Sequence, residues 1–164
     1  MANVVAEKLP HDALELLKAG NLAAKQNRVV QVVTVGPEGW PNAGMLSYAD
    51  VIAGDESNIH LATWGDGECA SDLRRNPKIT LLVIDHDMAY YVRGEGAEVH
   101  PEGETLTDVN QAGGDSALAF FHIAVKQVLE DRVPTARVLG GVTFEGSDSE
   151  QIAHDAILKR LESI

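Results

Sequence analysis

A single cysteine, Cys69, stands in this 164-residue chain, so no disulfide can form within it and a reducing cytoplasm is the expected compartment. No hydrophobic run is long enough to span a bilayer. The opening MANVVAEKLPHD lacks the basic-then-apolar layout of a secretory signal. Basic side chains are scarce: 13 Lys and Arg stand against 25 Asp and Glu, a net charge of −12. Repulsion on that scale argues against DNA, RNA or an anionic membrane as partner, yet leaves room for a small anion in a local pocket. The six histidines are scattered, and none pairs with another at metal-ligand spacing on a predicted element. No metal site is therefore expected, and Asp85-His86-Asp87 reads as a polar turn. No Ser-His-Asp arrangement, internal repeat, low-complexity tract or linker is visible. The length suits one domain with a real core, spanning 1–164.

What is present is a succession of short strands separated by turn chemistry. Val29 to Val35, VVQVVTV, is nearly all β-branched and reads as a buried strand. Gly36-Pro37-Glu38-Gly39-Trp40-Pro41 turns the chain, and Asn42 to Ile52 returns as the second strand of a hairpin. Lys78 to Asp85 is apolar on both faces, which suits a central strand, and Met88 to His100 is a long strand. The acidic stretch Glu102 to Asp115 reads as a loop, and Val142 to Phe144 as a short final strand. Helices are expected over Asp12 to Ala19 and over Asp148 to Ser163. The second opens on a capping-box pair, Asp148 and Gln151, and buries Ile152, Ala156, Ile157 and Leu161. Ser116 to Arg132 fits a helix through Leu118, Phe121, Val125, Val128 and Leu129, and a strand through Phe121, Ile123 and Val125. Many short strands with turns between them point to a closed or nearly closed antiparallel barrel with peripheral helices.

The stretch around which the rest is organised is Asn58 to Pro77. Ile59, Leu61 and Thr63 alternate with His60, Ala62 and Trp64, the period of a half-buried strand. Gly65-Asp66-Gly67 breaks it, and a short helix follows from about Glu68, with Ala70 and Leu73 on one face, until Pro77 stops it. A helix opened by glycines presents unpaired N–H groups and suits an anion; the same pattern also fits an ordinary surface turn.

Taken in order, these pieces resemble a known family. The β-branched strand, Gly39-Trp40-Pro41, the next strand, Leu61-Ala62-Thr63, the glycine turn, Leu73-Arg74-Arg75-Asn76-Pro77 and Val92-Arg93-Gly94-Glu95-Gly96 look like the FMN-binding split barrel of the pyridoxamine 5′-phosphate oxidase-like superfamily. The match spans about residues 28 to 100. It implies a mainly β fold with peripheral helices, an antiparallel split β-barrel, and a strand within Ser116 to Arg132. It also implies a homodimer with two FMN sites at the interface and a flavin-dependent oxidoreductase. The isoalloxazine ring would lie against Met45, Leu46, Ser47 and Tyr48 and be bordered by Ala62, Thr63 and Trp64, with Arg74 and Arg75 as sources of positive charge. A deazaflavin, which related split barrels use, would fit the same frame.

One departure bears on function. The oxidase pattern has Ser-Arg-Lys where this chain has Gly67, Glu68 and Cys69. A carboxylate facing a phosphate dianion in a partly buried site costs on the order of several kcal/mol. Pyridoxamine phosphate oxidase activity itself is therefore not expected. The departure also keeps open a non-enzymatic dimer that binds another flat molecule, or haem with a histidine as axial ligand. Trp64 can stack on a flat ligand or pack at an interface, and Tyr90 and Tyr91 can line a pocket or pack across strands. Cys69 gains from a helix N-terminus but is opposed by Glu68 and Asp66, so no catalytic role is assigned to it.

Overall fold

The computed structural model describes residues 2–20, 22–25, 27–101, 117–132, 134–145 and 148–164. Among these residues, eight strands form one sheet: β1 (Asn3–Ala6), β2 (Val29–Val35), β3 (Pro41–Ser47), β4 (Val51–Ala53), β5 (Asn58–Trp64), β6 (Lys78–Asp85), β7 (Met88–Val99) and β8 (Leu118–Glu130). Four described helices accompany them: α1 (His11–Leu17), α2 (Leu22–Lys25), α3 (Glu68–Arg75) and α4 (Asp148–Leu161). The strand order is β3-β2-β6-β7-β8-β5-β4, with β1 also on β8. Every pairing is antiparallel.

The two edges of this path, β3 and β4, are separated in sequence only by Tyr48, Ala49 and Asp50. The sheet must therefore curl until its ends approach, which leaves a barrel with an opening between β3 and the β4–β5 edge. This is the split barrel that the sequence implies. Inward-facing Val30, Val32, Leu61, Leu81, Val92 and Phe121 fill it. A second cluster joins Ile52, Ala62, Leu118 and Phe120 to Ile157 and Leu161 of α4. That outer cover explains why Leu118 to Phe121 are buried on both faces of β8.

The boundaries of β2 and β6 coincide with the expected ones, because dense β-branched runs leave little ambiguity. Residues 118–130 are strand, as the family resemblance requires and as periodicity alone left open. The expected single strand from Asn42 to Ile52 is two strands. Ser47 donates to Asp50 Oδ2 from its N–H (3.0 Å) and its hydroxyl (2.7 Å), and this local carboxylate makes a turn that ends the pairing. Near Val142, Thr143 makes one isolated bridge to Arg28 in place of a strand. The acidic segment Glu102 to Asp115 and the side chains of Asp148, Gln151 and Ile152 lie outside the described residues.

Candidate functional site

Helix α3 lies between the β2–β3 hairpin and strands β5 and β7, at the end of the opening. Gly67 is its N-cap, with extended backbone and no side-chain cap hydrogen bond, so the first-turn N–H groups lack a side-chain acceptor. Ala70 and Leu73 are buried, which anchors the helix to the core. At the preceding turn, Gly65 N–H donates to Ala117 O at 2.8 Å, and a Cβ on Gly65 would sit 2.6 Å from that oxygen. Only glycine permits this approach of strand end to strand end.

The buried carboxylate of Asp72 binds the pieces together. Its Oδ2 accepts from Thr34 Oγ1 (2.7 Å) and Asn42 Nδ2 (2.8 Å), and its Oδ1 accepts from Arg75 Nη2 (2.5 Å). Burial alone would favour the neutral acid, but these donors outweigh it and hold the carboxyl below its usual range. Pattern reading misses Asp72, since an acid on a short amphipathic helix reads as solvent-facing. Its position beside Leu73 gives no signal either, because neighbouring helix positions point in different directions.

The residues expected to meet a ring divide into two groups. Met45 is 65 % exposed and Trp64 44 % exposed, so both present apolar surface outward. Strand β3 is an edge, and main-chain groups of Asn42 to Ser47 that do not face β2 are free of sheet partners. Leu46 packs against the core, Ala62 is buried beneath α4, and Thr63 is buried near Cys69. Tyr48 lies in the core. Burial pushes its phenol up to about 12, and its hydroxyl meets no partner among the described residues. Its side chain thus faces away from the opening, leaving only its main chain for a ligand. Burial likewise pushes the Cys69 thiol up to about 11, so the helix N-terminus does not activate it.

Both expected cations are engaged within the chain. Arg74 grips Glu98 with Nε (2.7 Å) and Nη2 (2.5 Å) and donates Nη1 to Gly65 O (2.7 Å). Arg75 is held by Asp72 and donates to Val35 O (2.9 Å). Glu98 is therefore a second residue that sequence reasoning missed, and only the fold brings it to Arg74.

Elsewhere, Tyr91 lines a cavity of about 660 Å³ with Arg132 and Arg137, which pair with Glu130 and Asp87 respectively. Its hydroxyl donates to Asp131 Oδ2 at 3.0 Å. Tyr90 is buried and donates to Asp12, so it is not a pocket wall. His60 and His122 face each other across β5 and β8, with ring centroids 5.7 Å apart, although the sequence separates them widely. His60 Nδ1 bonds Leu161 O and His122 Nε2 bonds Asn58 Oδ1. No group of three or more metal-binding side chains occurs among the described residues.

At this opening a strand edge without a sheet partner among the described residues can read a flat polar rim, and Met45 and Trp64 carry exposed apolar surface. For a phosphate, the donors offered here among the described residues are main-chain N–H groups at the start of α3, since Glu68 is an acid and both arginines are committed.

The chain belongs to the pyridoxamine 5′-phosphate oxidase family, whose model matches residues 17–131. It is 26% identical over 138 residues to the uncharacterized protein YclD of Bacillus subtilis (strain 168), covering 84% of each chain. Among solved structures it is similar to tagged HupZ from Group A Streptococcus. That match has a TM-score of 0.55 and 18% identity, and covers 81% of this chain and 99% of that one. It is also similar to an FMN-binding protein from Syntrophomonas wolfei, with a TM-score of 0.53 and 16% identity over 74% of this chain and 88% of that one. At these identities the structural likeness is one of fold. No described helix is long and apolar enough to cross a membrane.

Proposed function

We propose that this protein binds FMN in the opening between β3 and β5 and serves as a flavin-dependent oxidoreductase, with two chains completing two sites as a homodimer. Family membership over residues 17–131 is the observation that carries the reading. The free edge of β3 at Met45 and Leu46, with the main chain of Tyr48 just beyond it, would hold the ring edge, while the Ser47 main chain is held by Asp50. Trp64 and the end of β5 at Ala62 and Thr63 would border it, and α3 N–H groups would meet the phosphate. Bound flavin supplies the redox chemistry; the protein supplies position and electrostatics. The chain's own contribution is position and desolvation, and the buried Cys69 thiol, pushed up to about 11, is not a ready nucleophile. The Syntrophomonas wolfei protein named as FMN-binding shares this fold, which agrees with the assignment.

A second reading, a non-enzymatic binder of a flat ligand such as riboflavin or haem, is favoured by one observation: Arg74 and Arg75 are already paired with Glu98 and Asp72. Fluorescence titration of the purified protein with FMN and with riboflavin separates the two. The first reading expects saturable quenching by FMN, tighter than by riboflavin, and a thermal shift. Equal affinities support the second. No quenching and no shift with FMN overturns the first.

A further inference from the structure

The face of the sheet that α4 covers carries a pair of histidines with no part in the proposed flavin site. One cross-strand row runs over four strands: Ile52 on β4 pairs with His60 on β5, His60 with His122 on β8, and His122 with Ala97 on β7. Register alone brings the two histidines together, so spacing along a single element gives no sign of them. Their ring centroids lie 5.7 Å apart and the rings are tilted by 51°, so they are not stacked. Both side chains are partly exposed.

The hydrogen bonds fix the tautomer of each neutral ring. Leu161 O is a carbonyl and can only accept, so His60 Nδ1, 2.9 Å away, carries the proton. Asn58 spends its amide nitrogen on both carboxylate oxygens of Asp55, at 2.8 Å each. Its Oδ1 is therefore the atom that faces His122, and it accepts from Nε2 at 2.8 Å. One bare nitrogen remains on each ring, Nε2 on His60 and Nδ1 on His122. Neither meets a hydrogen-bond partner among the described residues. A histidine that donates one ring N–H to a fixed oxygen and keeps the other nitrogen bare is oriented as metal-ligating histidines are. The α4 main chain gives His60 that support, and the Asp55–Asn58 pair gives it to His122.

The spacing agrees. A metal–nitrogen bond of about 2.0–2.1 Å puts the metal about 3.2 Å from each imidazole centre, so two such ligands at a tetrahedral angle have centres about 5.2 Å apart. The observed 5.7 Å exceeds this by about half an ångström, within reach of small side-chain rotations. Access and charge also suit a cation. Gly54 is exposed, and a Cβ on it would lie 3.3 Å from His60 Nε2 and 3.1 Å from Cε1, so any other residue there would crowd the bare nitrogen. His60 also meets the C-terminal end of α4, whose carbonyls carry partial negative charge.

We propose that His60 and His122 form a binding site for a divalent transition-metal ion of the kind that favours imidazole, such as Zn²⁺. His60 Nε2 and His122 Nδ1 are the two protein ligands, and water fills the rest of the shell. The ion bridges β5 to β8 and, through the His60–Leu161 hydrogen bond, steadies the end of α4. With two protein ligands the site binds less tightly than a closed four-ligand centre. It is independent of the flavin reading, since it uses none of the residues assigned to the flavin.

The test is a calorimetric titration of the untagged full chain with Zn²⁺, with Mg²⁺ as a control that prefers oxygen ligands. Saturable binding of one Zn²⁺ per chain, not reproduced by Mg²⁺, is expected. His60→Gln and His122→Gln should each weaken it at least tenfold, while His86→Gln, on an exposed turn, leaves it unchanged. Long-range ¹H–¹⁵N spectra of the wild type give a second readout that needs no variant. Without metal, His60 should be the Nδ1–H tautomer and His122 the Nε2–H tautomer, and Zn²⁺ should shift the His60 Nε2 and His122 Nδ1 resonances. Absence of saturable Zn²⁺ binding, Zn²⁺ shifts confined to other histidines, or undiminished affinity in either of the two variants overturns the proposal.

Discussion

Arg74 and Glu98 meet as a two-pronged ion pair, with Nε and Nη2 on separate carboxylate oxygens at 2.7 and 2.5 Å. The pair ties α3 to β7 and removes from circulation the cation closest in sequence to the start of that helix. Replacing Glu98 by Gln should therefore release Arg74. FMN affinity is expected to rise roughly 3- to 10-fold, about 1 kcal/mol, as one charge-assisted contact becomes available. Thermal stability should change by less than about 1 kcal/mol, because both side chains are partly solvated. Unchanged affinity in a fluorescence titration would show that Arg74 does not reach the phosphate even when free.

Asp72 makes a sharper case, since all three of its partners are donors. Asp72→Asn keeps the shape but offers one acceptor oxygen where two are used. A loss of about 2–4 kcal/mol is expected, measured by urea denaturation.

The same residue sets an acid limb. Its folded pKa lies below the ordinary value, so the folded state binds fewer protons there. The stabilisation is complete above the unfolded carboxyl value of about 3.9 and disappears as pH falls through the lower folded value. The melting temperature of the wild type should drop as pH falls below about 4, and that drop should be shallower in Asp72→Asn. Parallel curves for the two proteins would mean that other carboxylates dominate acid unfolding.

Cys69 should be sluggish. With its thiol pushed up to about 11 by burial, the thiolate fraction at pH 8 is roughly 100-fold below that of a free cysteine. Alkylation by iodoacetamide should be slower by about that factor in the native protein and recover in denaturant. A native rate near that of free cysteine would contradict the burial.

Gly94→Ala places a methyl against Ile123 and the Ala124 carbonyl, at the β7–β8 register shift between Arg93 and Gly94. Both neighbours belong to the longest strand and cannot withdraw together. A destabilisation of about 1–3 kcal/mol is expected by chemical denaturation, with larger amide shifts at Arg93 and Lys126 than at sites on β5.

Much of the fold was legible because its strands announce themselves. VVQVVTV and KITLLVID became β2 and β6 with the expected bounds. What stayed hidden depends on partners distant in sequence. Strand β1 is short and largely exposed, and pairs with β8 near that strand's far end. The break at Tyr48 to Asp50 rests on a side-chain hydrogen bond that hydrophobic periodicity does not register. Ala62, Thr63 and Trp64 fall at the end of a strand beside α3, as the family frame required, but the commitment of Arg74 and Arg75 to Glu98 and Asp72 follows from three-dimensional proximity alone.

Strand β8 pairs with β1, β5 and β7, elements drawn from the beginning and the middle of the chain. During synthesis, β5 and β7 must emerge and wait, each with an unpaired edge, until residues 118–130 leave the ribosome. Closure is then a late event between segments far apart in sequence, which makes folding slow compared with a helical bundle of this size. In that interval the nascent chain presents two unpaired strand edges to its neighbours. A ribosome that stalls before Leu118 would release a molecule with its hairpins formed and its sheet open, the species of this protein most prone to aggregate.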